Sequence, residues 1–173
     1  MTERPSELET AVGDQTPYPR NPRPGPLQRG DVVGRYVVLE RLGKGGMGVV
    51  YGAYDPRLNR KVALKVVAPG DRVEASERAL LREAQALAQL SHRNVATVHD
   101  VGAIDGDIFI AMEFLDGATL TQWLAETTRS PEEILDVFRQ AGQGLSAAHE
   151  AGIVHRDFKP DNVIVTVDGR VVV

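Results

Sequence analysis

The stretch 155–162 brings together an acid, a cation and an amide within eight residues, His-Arg-Asp-Phe-Lys-Pro-Asp-Asn. Asp157 could accept or orient a hydroxyl proton, and Lys159 could neutralise charge on a phosphoryl group during its transfer. Asn162 offers an uncharged oxygen of the kind that hard cations such as Mg²⁺ bind. His155 follows two apolar residues and is predicted to pack as a structural histidine. The spacing therefore indicates phosphoryl transfer, and the whole set is rare by chance.

A glycine-rich stretch lies far upstream, where Gly43, Gly45 and Gly48 form the pattern G-x-G-x-x-G. The pattern alone is ambiguous, because dinucleotide-binding folds use the same spacing between a strand and a helix. Here the β-branched and aromatic residues 49–54 predict a second strand, which argues against a Rossmann oxidoreductase. A glycine hairpin lets backbone N–H groups approach phosphates with no Cβ in the way. The structural alternative is an ordinary hairpin with surplus glycines.

A lysine inside a third β-branched stretch is the next candidate. Alternation along a strand turns the side chain of Lys65 away from the face of Leu64 and Val66. A lysine that faces a core needs a partner, unless it extends along an edge strand to reach water. Glu83, on the flank of a predicted helix over 73–90, is the candidate partner. The alternative is that Glu83 is one of many solvated helix charges.

The elements that position these residues follow from periodicity and turn signals. A short helix is predicted over 119–127, and the Asp-Gly pair at 105–106 predicts a hairpin between two strands. The predicted strands of the first half cover 36–42, 49–54, 61–67, 96–103 and 108–113.

A long second helix is predicted to begin at Ser130 and to end at Gly152. Ser130 and Glu133 form the pattern of a capping box, and Pro131 suits the first helical position. One apolar face of this helix is predicted to contain Ile134, Phe138, Ala141, Leu145 and Ala148.

Composition limits the class of protein. The chain has 173 residues, a net charge of -4 and no cysteine, which excludes disulfides and cysteine-ligated metals. Mild acidity argues against a nucleic-acid partner, and no apolar run is long enough for a bilayer span or a secretory signal. A cytoplasmic location is therefore expected. Residues 1–34 are proline-rich and are predicted to be a disordered leader, with a proline-rich ligand for another domain as the alternative.

Three motifs follow one another along the chain: the glycine loop, Val-Ala-Leu-Lys at 62–65, and the stretch 155–162. This order resembles the protein kinase family, and Lys159 resembles its serine/threonine branch, in the form found in bacteria. Phe158 stands where leucine is common. The resemblance covers residues 35 to 173, roughly the first half of that family's domain.

The resemblance implies an α+β fold in three parts. A five-stranded antiparallel small lobe with one helix is expected over 35–112, and a hinge over 113–118. The first part of a mainly helical large lobe, with the catalytic loop, is expected over 119–173.

The resemblance also implies an activity: transfer of the ATP γ-phosphoryl group to serine or threonine hydroxyls of protein substrates, with ATP and Mg²⁺ as cofactors. Asp157, Lys159 and a Lys65–Glu83 ion pair would be catalytic, and Asn162 would bind the metal. Met112 would gate the back of the adenine pocket. The implied nucleotide contacts are Leu42, Gly43, Lys44, Gly45, Gly46, Met47, Gly48, Val50, Ala63, Lys65, Glu113, Leu115 and Ile164.

The sequence ends at Val173, before the Asp-Phe-Gly motif in which the kinase family carries a metal-binding aspartate. We therefore interpret the chain as a truncated catalytic domain and expect no appreciable activity from it alone. The alternative is a catalytically inactive nucleotide-binding or interaction fragment. The apolar face of the long helix is expected to favour self-association through an exposed large-lobe surface.

Overall fold

The computed structural model describes residues 25–45, 48–67, 86–104 and 107–173. In this part of the chain an antiparallel sheet forms the small lobe, and helices with a second small sheet follow it. The α+β class is confirmed, the five predicted strands are present, and a short strand is added before them. The small-lobe sheet has the order β1-β2-β3-β4-β6-β5, with β1 (Val32–Val33), β2 (Tyr36–Gly45), β3 (Gly48–Asp55), β4 (Arg60–Val67), β5 (Val98–Ile104) and β6 (Asp107–Glu113).

The two faces of this sheet have different surroundings. On one face Tyr51, Leu64 and Ala111 are buried in a single apolar cluster. Burial of a side chain such as Leu64 contributes about 1.5–3 kcal/mol relative to exposure. Because strand side chains alternate, Ala63 and Lys65 lie on the opposite face, as the sequence predicted for the lysine. The core therefore holds the sheet rigid while its other face remains available for a site.

The small lobe begins earlier in the chain than predicted. Val33 is buried in the apolar cluster, and Leu27 packs against it. The carboxylate of Asp31 is also buried and accepts the backbone N–H of Gln28 at 2.8 Å. The predicted leader boundary after residue 34 is therefore wrong. Isolated apolar residues near prolines form no periodic pattern, and their burial depends on a sheet built by later residues.

The second part of the chain combines two helices and a small sheet. The short helix predicted over 119–127 is present, and β8 and β9 follow the stretch 155–162. None of the described helices combines the length and the apolarity needed to cross a bilayer. The elements are β7 (Gly117–Thr119), α1 (Leu120–Glu126), α2 (Pro131–Glu150), a 3-10 turn (Pro160–Asn162), β8 (Ile164–Thr166) and β9 (Val171–Val172), with the sheet order β7-β8-β9.

Helix α2 begins where the sequence predicts. The hydroxyl of Ser130 accepts the N–H of Glu133 at 3.2 Å, and the Glu133 carboxylate accepts the N–H of Ser130 at 2.7 Å. This reciprocal pair satisfies two backbone donors that no helical carbonyl can reach. Helix α1 begins with the same arrangement at Thr119 and Gln122. Local side chains thus fix both helix starts.

The predicted apolar face of α2 is only partly buried. Ala141 and Ala148 are buried, whereas Phe138 of the same face is 45% exposed, and Leu135, which lies outside that predicted set, is 68% exposed. The buried stripe consists of Val137, Ala141, Gly144 and Ala148. A Cβ on Gly144 would lie 2.3 Å from the carbonyl oxygen of Asn94, so the small residue allows close approach of the helix. Sequence periodicity does not determine which of two adjacent apolar stripes on a helix is buried. In α2 the close contact at Gly144 determines which stripe is buried.

Two predicted elements lie mainly outside the described residues. Of the helix predicted over 73–90, only residues 86–90 are described, and 86–89 are helical. The turn predicted at 105–106 also lies outside, although β5 and β6 on either side pair as antiparallel strands.

Candidate active site

The acid, the cation and the amide of the stretch 155–162 form one hydrogen-bonded cluster. Lys159 Nζ lies 2.8 Å from Oδ2 and 3.1 Å from Oδ1 of Asp157. Asn162 Nδ2 donates to the backbone carbonyl of Asp157 at 2.8 Å and to its Oδ2 at 3.0 Å. The structure therefore brings together three of the predicted site residues.

The cluster lies on a loop that is anchored at both ends. Gly152 ends α2 with a φ of 76°, a conformation that glycine adopts without steric cost. The next residue, Ile153, is buried, and its N–H donates to the carbonyl of Ala148 at 2.8 Å. On the far side Val163 is fully buried among residues of α2 and the small sheet. The exposed residues of the loop are therefore held by buried apolar neighbours.

The electrostatics of the cluster favour an ionised acid. The hydrogen bond from Lys159, followed by that from Asn162, lowers the pKa of Asp157 below its ordinary value. A carboxylate that stays ionised can accept a proton or orient a hydroxyl group. The amide group of Asn162 donates toward Asp157, and within the described residues its Oδ1 accepts no hydrogen bond. That oxygen is therefore available to a cation.

His155 packs inside the loop. Its ring lies edge-on to Phe158 with the centroids 6.0 Å apart. Burial lowers the pKa of His155, the charge of Asp157 opposes this, and the charge of Lys65 lowers the pKa further. A neutral, packed imidazole agrees with the structural role predicted from the sequence.

The residue before the acid has a strained backbone. Arg156 has a φ of 61°, in the left-handed region that non-glycine residues rarely adopt. The N–H of Asp157 closes a tight turn by donating to the carbonyl of His155 at 2.8 Å. Such a conformation costs about 1–3 kcal/mol and occurs preferentially at functional sites. Here it directly precedes Asp157, whose carboxylate contacts Lys159 and Asn162.

The glycine-rich stretch joins two strands, as predicted. Gly43 pairs with Val50 and Gly45 pairs with Gly48, at the ends of β2 and β3. Gly48 has a φ of 136°, and a Cβ on it would lie 2.3 Å from the carbonyl oxygen of Val66. By contrast, a Cβ on Gly43 or Gly45 would meet nothing within 4 Å. Among these three glycines, only Gly48 lacks room for a larger side chain. Gly43 and Gly45 leave open space beside the backbone.

The sheet face above the loop carries the predicted apolar contacts. Val50 and Lys65 are cross-strand partners, and Ala63 is the partner of Gly52. Leu42 lies over the same region, because its Cδ2 is 3.7 Å from the position that a Cβ on Gly52 would take. Val50, Ala63 and Lys65 therefore lie on one face of the sheet.

The second sheet carries a further predicted nucleotide contact. Ile164 begins β8 and is half-buried, whereas Val163 and Val165 on either side are buried. Alternation therefore directs Ile164 away from the core that contains its neighbours. Glu113 ends β6, and its backbone N–H already donates to the carbonyl of Thr97 at 2.8 Å. The N–H of Glu113 is therefore engaged, and its carbonyl is the backbone group to consider as a ligand contact.

Four of the predicted contacts are not part of this arrangement. Lys44 is exposed on the glycine hairpin, and Glu83, Gly46 and Met47 lie outside the described residues. Pairing of Lys65 with Glu83 therefore stays a prediction. Leu115 is half-buried in the connection 114–116 between the two sheets.

A side-chain link between Arg170 and Glu113 was not foreseen by any sequence pattern. The guanidinium of Arg170 forms an ion pair with the carboxylate of Glu113, although 57 residues separate them. The Asp-Gly pair at 168–169 is typical of the tight turn that precedes Arg170. Turn chemistry does not determine where a long side chain extends.

Comparison with known proteins identifies this arrangement. Residues 36–173 match the family described as protein kinase domain. The chain belongs to the protein kinase family. It is similar to the serine/threonine-protein kinase PknD of Mycobacterium tuberculosis (strain ATCC 25618 / H37Rv), with 40% identity over 141 residues, or 80% of this chain and 21% of PknD. It is also similar to PknL of the same strain, with 39% identity over 150 residues, or 84% of this chain and 37% of PknL.

A solved kinase domain shares the fold. A crystal structure of the Mycobacterium tuberculosis PknI kinase domain matches with a TM-score of 0.74 and 34% identity. The match covers 86% of this kinase-family chain and 62% of the PknI chain. The chain thus spans about a fifth of PknD and somewhat over a third of PknL.

Proposed function

We propose that this chain contributes the nucleotide-binding lobe and catalytic loop of an ATP-dependent protein serine/threonine kinase. In the reaction a substrate hydroxyl oxygen forms a bond to the γ-phosphorus of ATP, the bond to the leaving ADP oxygen breaks, and the hydroxyl proton is released. The observation that carries the proposal is the cluster of Asp157, Lys159 and Asn162. In this cluster both Lys159 and Asn162 donate hydrogen bonds to the carboxylate of Asp157, which favours its ionised form.

Asp157 is the residue that accepts or orients the proton of the substrate hydroxyl. Its lowered pKa keeps it ionised, and its side chain is partly exposed, so that a hydroxyl group can reach it. Lys159 already contacts this carboxylate and lies where it can also neutralise charge on the phosphoryl group. The two residues thus serve the attacking oxygen and the transferred group respectively.

The residues also fit a bound nucleotide with a metal ion. The open space beside Gly43 and Gly45 lets backbone N–H groups approach phosphates, and the Lys65 ammonium lies on the adjoining sheet face. Leu42, Ala63 and Ile164 are the proposed apolar contacts of adenine. When bound, ATP supplies the phosphoryl group and Mg²⁺ supplies charge neutralisation, for which Asn162 Oδ1 is the candidate ligand in this chain.

The substrate class follows from the loop and from the relatives. Lys159, two residues after the acid, is the feature that the sequence shares with serine/threonine kinases, and PknD and PknL are both named as such. We therefore assign serine and threonine hydroxyls of proteins as acceptors.

The nucleotide part is tested by equilibrium binding of a fluorescent ATP analogue with Mg²⁺ to the 173-residue chain. Lys65→Met should weaken binding about tenfold or more, since a charge-assisted contact to phosphate is lost. Lys61→Met is the matched control on the same strand, because the Lys61 ammonium is held by Glu40 at 3.1 Å and lies over the Phe114 ring. It should change affinity by less than about threefold.

Two results would count against the proposal. Absence of ATP binding by the wild-type chain contradicts the assigned nucleotide site. Equal affinities of the wild-type chain and Lys65→Met show that the lysine does not contact phosphate. ATP binding without phosphoryl transfer by the full-length gene product would favour the alternative, a nucleotide-binding module.

A further inference from the structure

The ion pair between Arg170 and Glu113 links the two sheets that border the proposed nucleotide site. Arg170 follows the turn after β8, whereas Glu113 ends β6 at the hinge. Each side chain is only 25% exposed, so the pair is screened less by water than the surface ion pairs of this chain. A pair in this position can set the distance between hinge and loop.

The Arg170 end of the pair is rigidly held. The carbonyl oxygen of Arg170 accepts both the N–H and the hydroxyl of Thr166, each at 2.8 Å. Gly169 completes the turn with a φ of 81°. Because Thr166 belongs to β8, the backbone of Arg170 is positioned by the same strand that carries Ile164.

The Glu113 end is held as well. The backbone N–H of Glu113 donates to the carbonyl of Thr97 at 2.8 Å, and its Oε2 faces the Thr97 N–H at 3.5 Å. Glu113 directly follows Met112 and precedes the connection 114–116. The backbone of Glu113 is therefore held beside the proposed adenine site, and its carboxylate is held by Arg170.

A second set of bonds ties the segment 94–97 to the same turn. Asn94 Nδ2 donates to the carbonyl of Val171 at 2.6 Å, and the N–H of Val173 donates to the carbonyl of Asn94 at 3.0 Å. The N–H of Ala96 donates to the carbonyl of Val173 at 3.0 Å. The small-lobe segment that supports Glu113 thus rests on the strand that follows Arg170.

We propose that Arg170 is a positioning residue, which fixes the Glu113 carbonyl relative to Ile164 and so sets the width of the adenine slot. The inference rests on the proposed nucleotide site. In the described part of the chain Arg170 is the side chain that joins the hinge directly to the β8–β9 turn. Its effect should be specific to the base, because the glycine hairpin and Lys65 bind phosphates from another strand pair.

The test compares two ligands on the 173-residue chain: ATP and inorganic tripolyphosphate, which lacks the base. Arg170→Met should weaken ATP binding about tenfold, the change expected when a hydrogen bond between charged groups is lost. Tripolyphosphate affinity should change by less than about twofold. The double variant Glu113→Arg with Arg170→Glu, which exchanges the charges, should recover most of the ATP affinity.

The matched control is Arg139→Met, which breaks the exposed ion pair with Asp136 on α2. It should leave both affinities unchanged. Circular dichroism verifies that each variant is folded. Should Arg170→Met not fold, Arg170→Lys retains the charge and should give an ATP-specific loss of about threefold, because lysine lacks the planar fork of arginine.

The outcomes separate this inference from the proposed function. If the wild-type chain does not bind ATP, both are overturned. If it binds ATP and Arg170→Met or Arg170→Lys binds equally well, only the positioning role is overturned. Equal losses for ATP and tripolyphosphate, or no recovery in the charge exchange, also overturn it, since the pair would then act on the fold as a whole.

Discussion

The Lys159 ammonium contacts both carboxylate oxygens of Asp157, at 2.8 Å and 3.1 Å, while Asn162 donates to the same carboxylate. This arrangement holds the proposed acceptor of the hydroxyl proton in its charged form. It also places a cation next to the point where a phosphoryl group would transfer. The chemistry of the site therefore depends on contacts within one short loop.

The first prediction concerns the titration of Asp157. Lys159 is the largest cause of its lowered pKa, so Lys159→Met should raise that pKa toward the ordinary value of about 3.9. In the wild type the carboxylate should protonate below that value. Its favourable contribution to stability is present above the unfolded-state pKa and is lost as the pH falls through the lower folded-state pKa.

Carboxyl ¹³C chemical shifts measured against pH check this prediction. Asp136 serves as an internal control, because its own lowered pKa comes from Arg139 and should not respond to Lys159→Met. An unchanged Asp157 midpoint in the variant would show that the contact does not persist in solution.

The second prediction compares two glycines of the hairpin. Gly48→Ala should destabilise the small lobe by about 1–3 kcal/mol, because the new Cβ meets the Val66 carbonyl and the backbone has a positive φ. Gly45→Ala meets nothing and should change the free energy of unfolding by less than about 0.5 kcal/mol. It should nevertheless weaken ATP binding, since its methyl group occupies the space proposed for phosphate.

Thermal unfolding and nucleotide titration measure the two effects separately. Equal loss of stability in both variants would contradict the distinction between a structural and a ligand-facing glycine.

The third prediction makes a similar comparison on α2. Gly144→Ala should destabilise the chain by about 1–3 kcal/mol, because its Cβ would stand 2.3 Å from the Asn94 carbonyl oxygen. Gly142→Ala lies in open space and should stabilise the helix by about 0.5–1 kcal/mol. Urea unfolding gives both values. A stabilised Gly144→Ala variant would mean that α2 does not pack against residue 94 as the structure shows.

Features of this site that depend on residues close in sequence were predictable. Features that depend on packing between distant segments were not. The start of α2 follows from Ser130 and Glu133, and the Asp157 cluster follows from residues close in sequence. The ion pair of Arg170 with Glu113 could not be predicted from the sequence, because it depends on how the two sheets pack relative to each other. The burial of Val33 and Gly144 likewise depends on distant backbone that no sequence period encodes.

The fourth prediction concerns the exposed apolar residues of α2. Leu135 and Phe138 are 68% and 45% exposed and lie one helical turn apart, so they share a face. We expect the 173-residue chain to self-associate through this face. Leu135→Gln with Phe138→Gln should shift it toward the monomer in light scattering after size exclusion, whereas Gln143→Ala should not. A monodisperse wild-type monomer would contradict the prediction.

Asp157 is proposed to serve phosphoryl transfer from ATP to protein hydroxyls. The direct measurement follows transfer of the labelled γ-phosphoryl group by the full-length gene product to a generic protein substrate, with analysis of the labelled amino acid. The labelled product should contain phosphoserine or phosphothreonine. The Asp157→Asn variant should bind ATP normally but transfer the phosphoryl group about 10²–10⁴ times more slowly. Undiminished transfer by Asp157→Asn, or no transfer by a wild type that binds ATP and Mg²⁺, would contradict it.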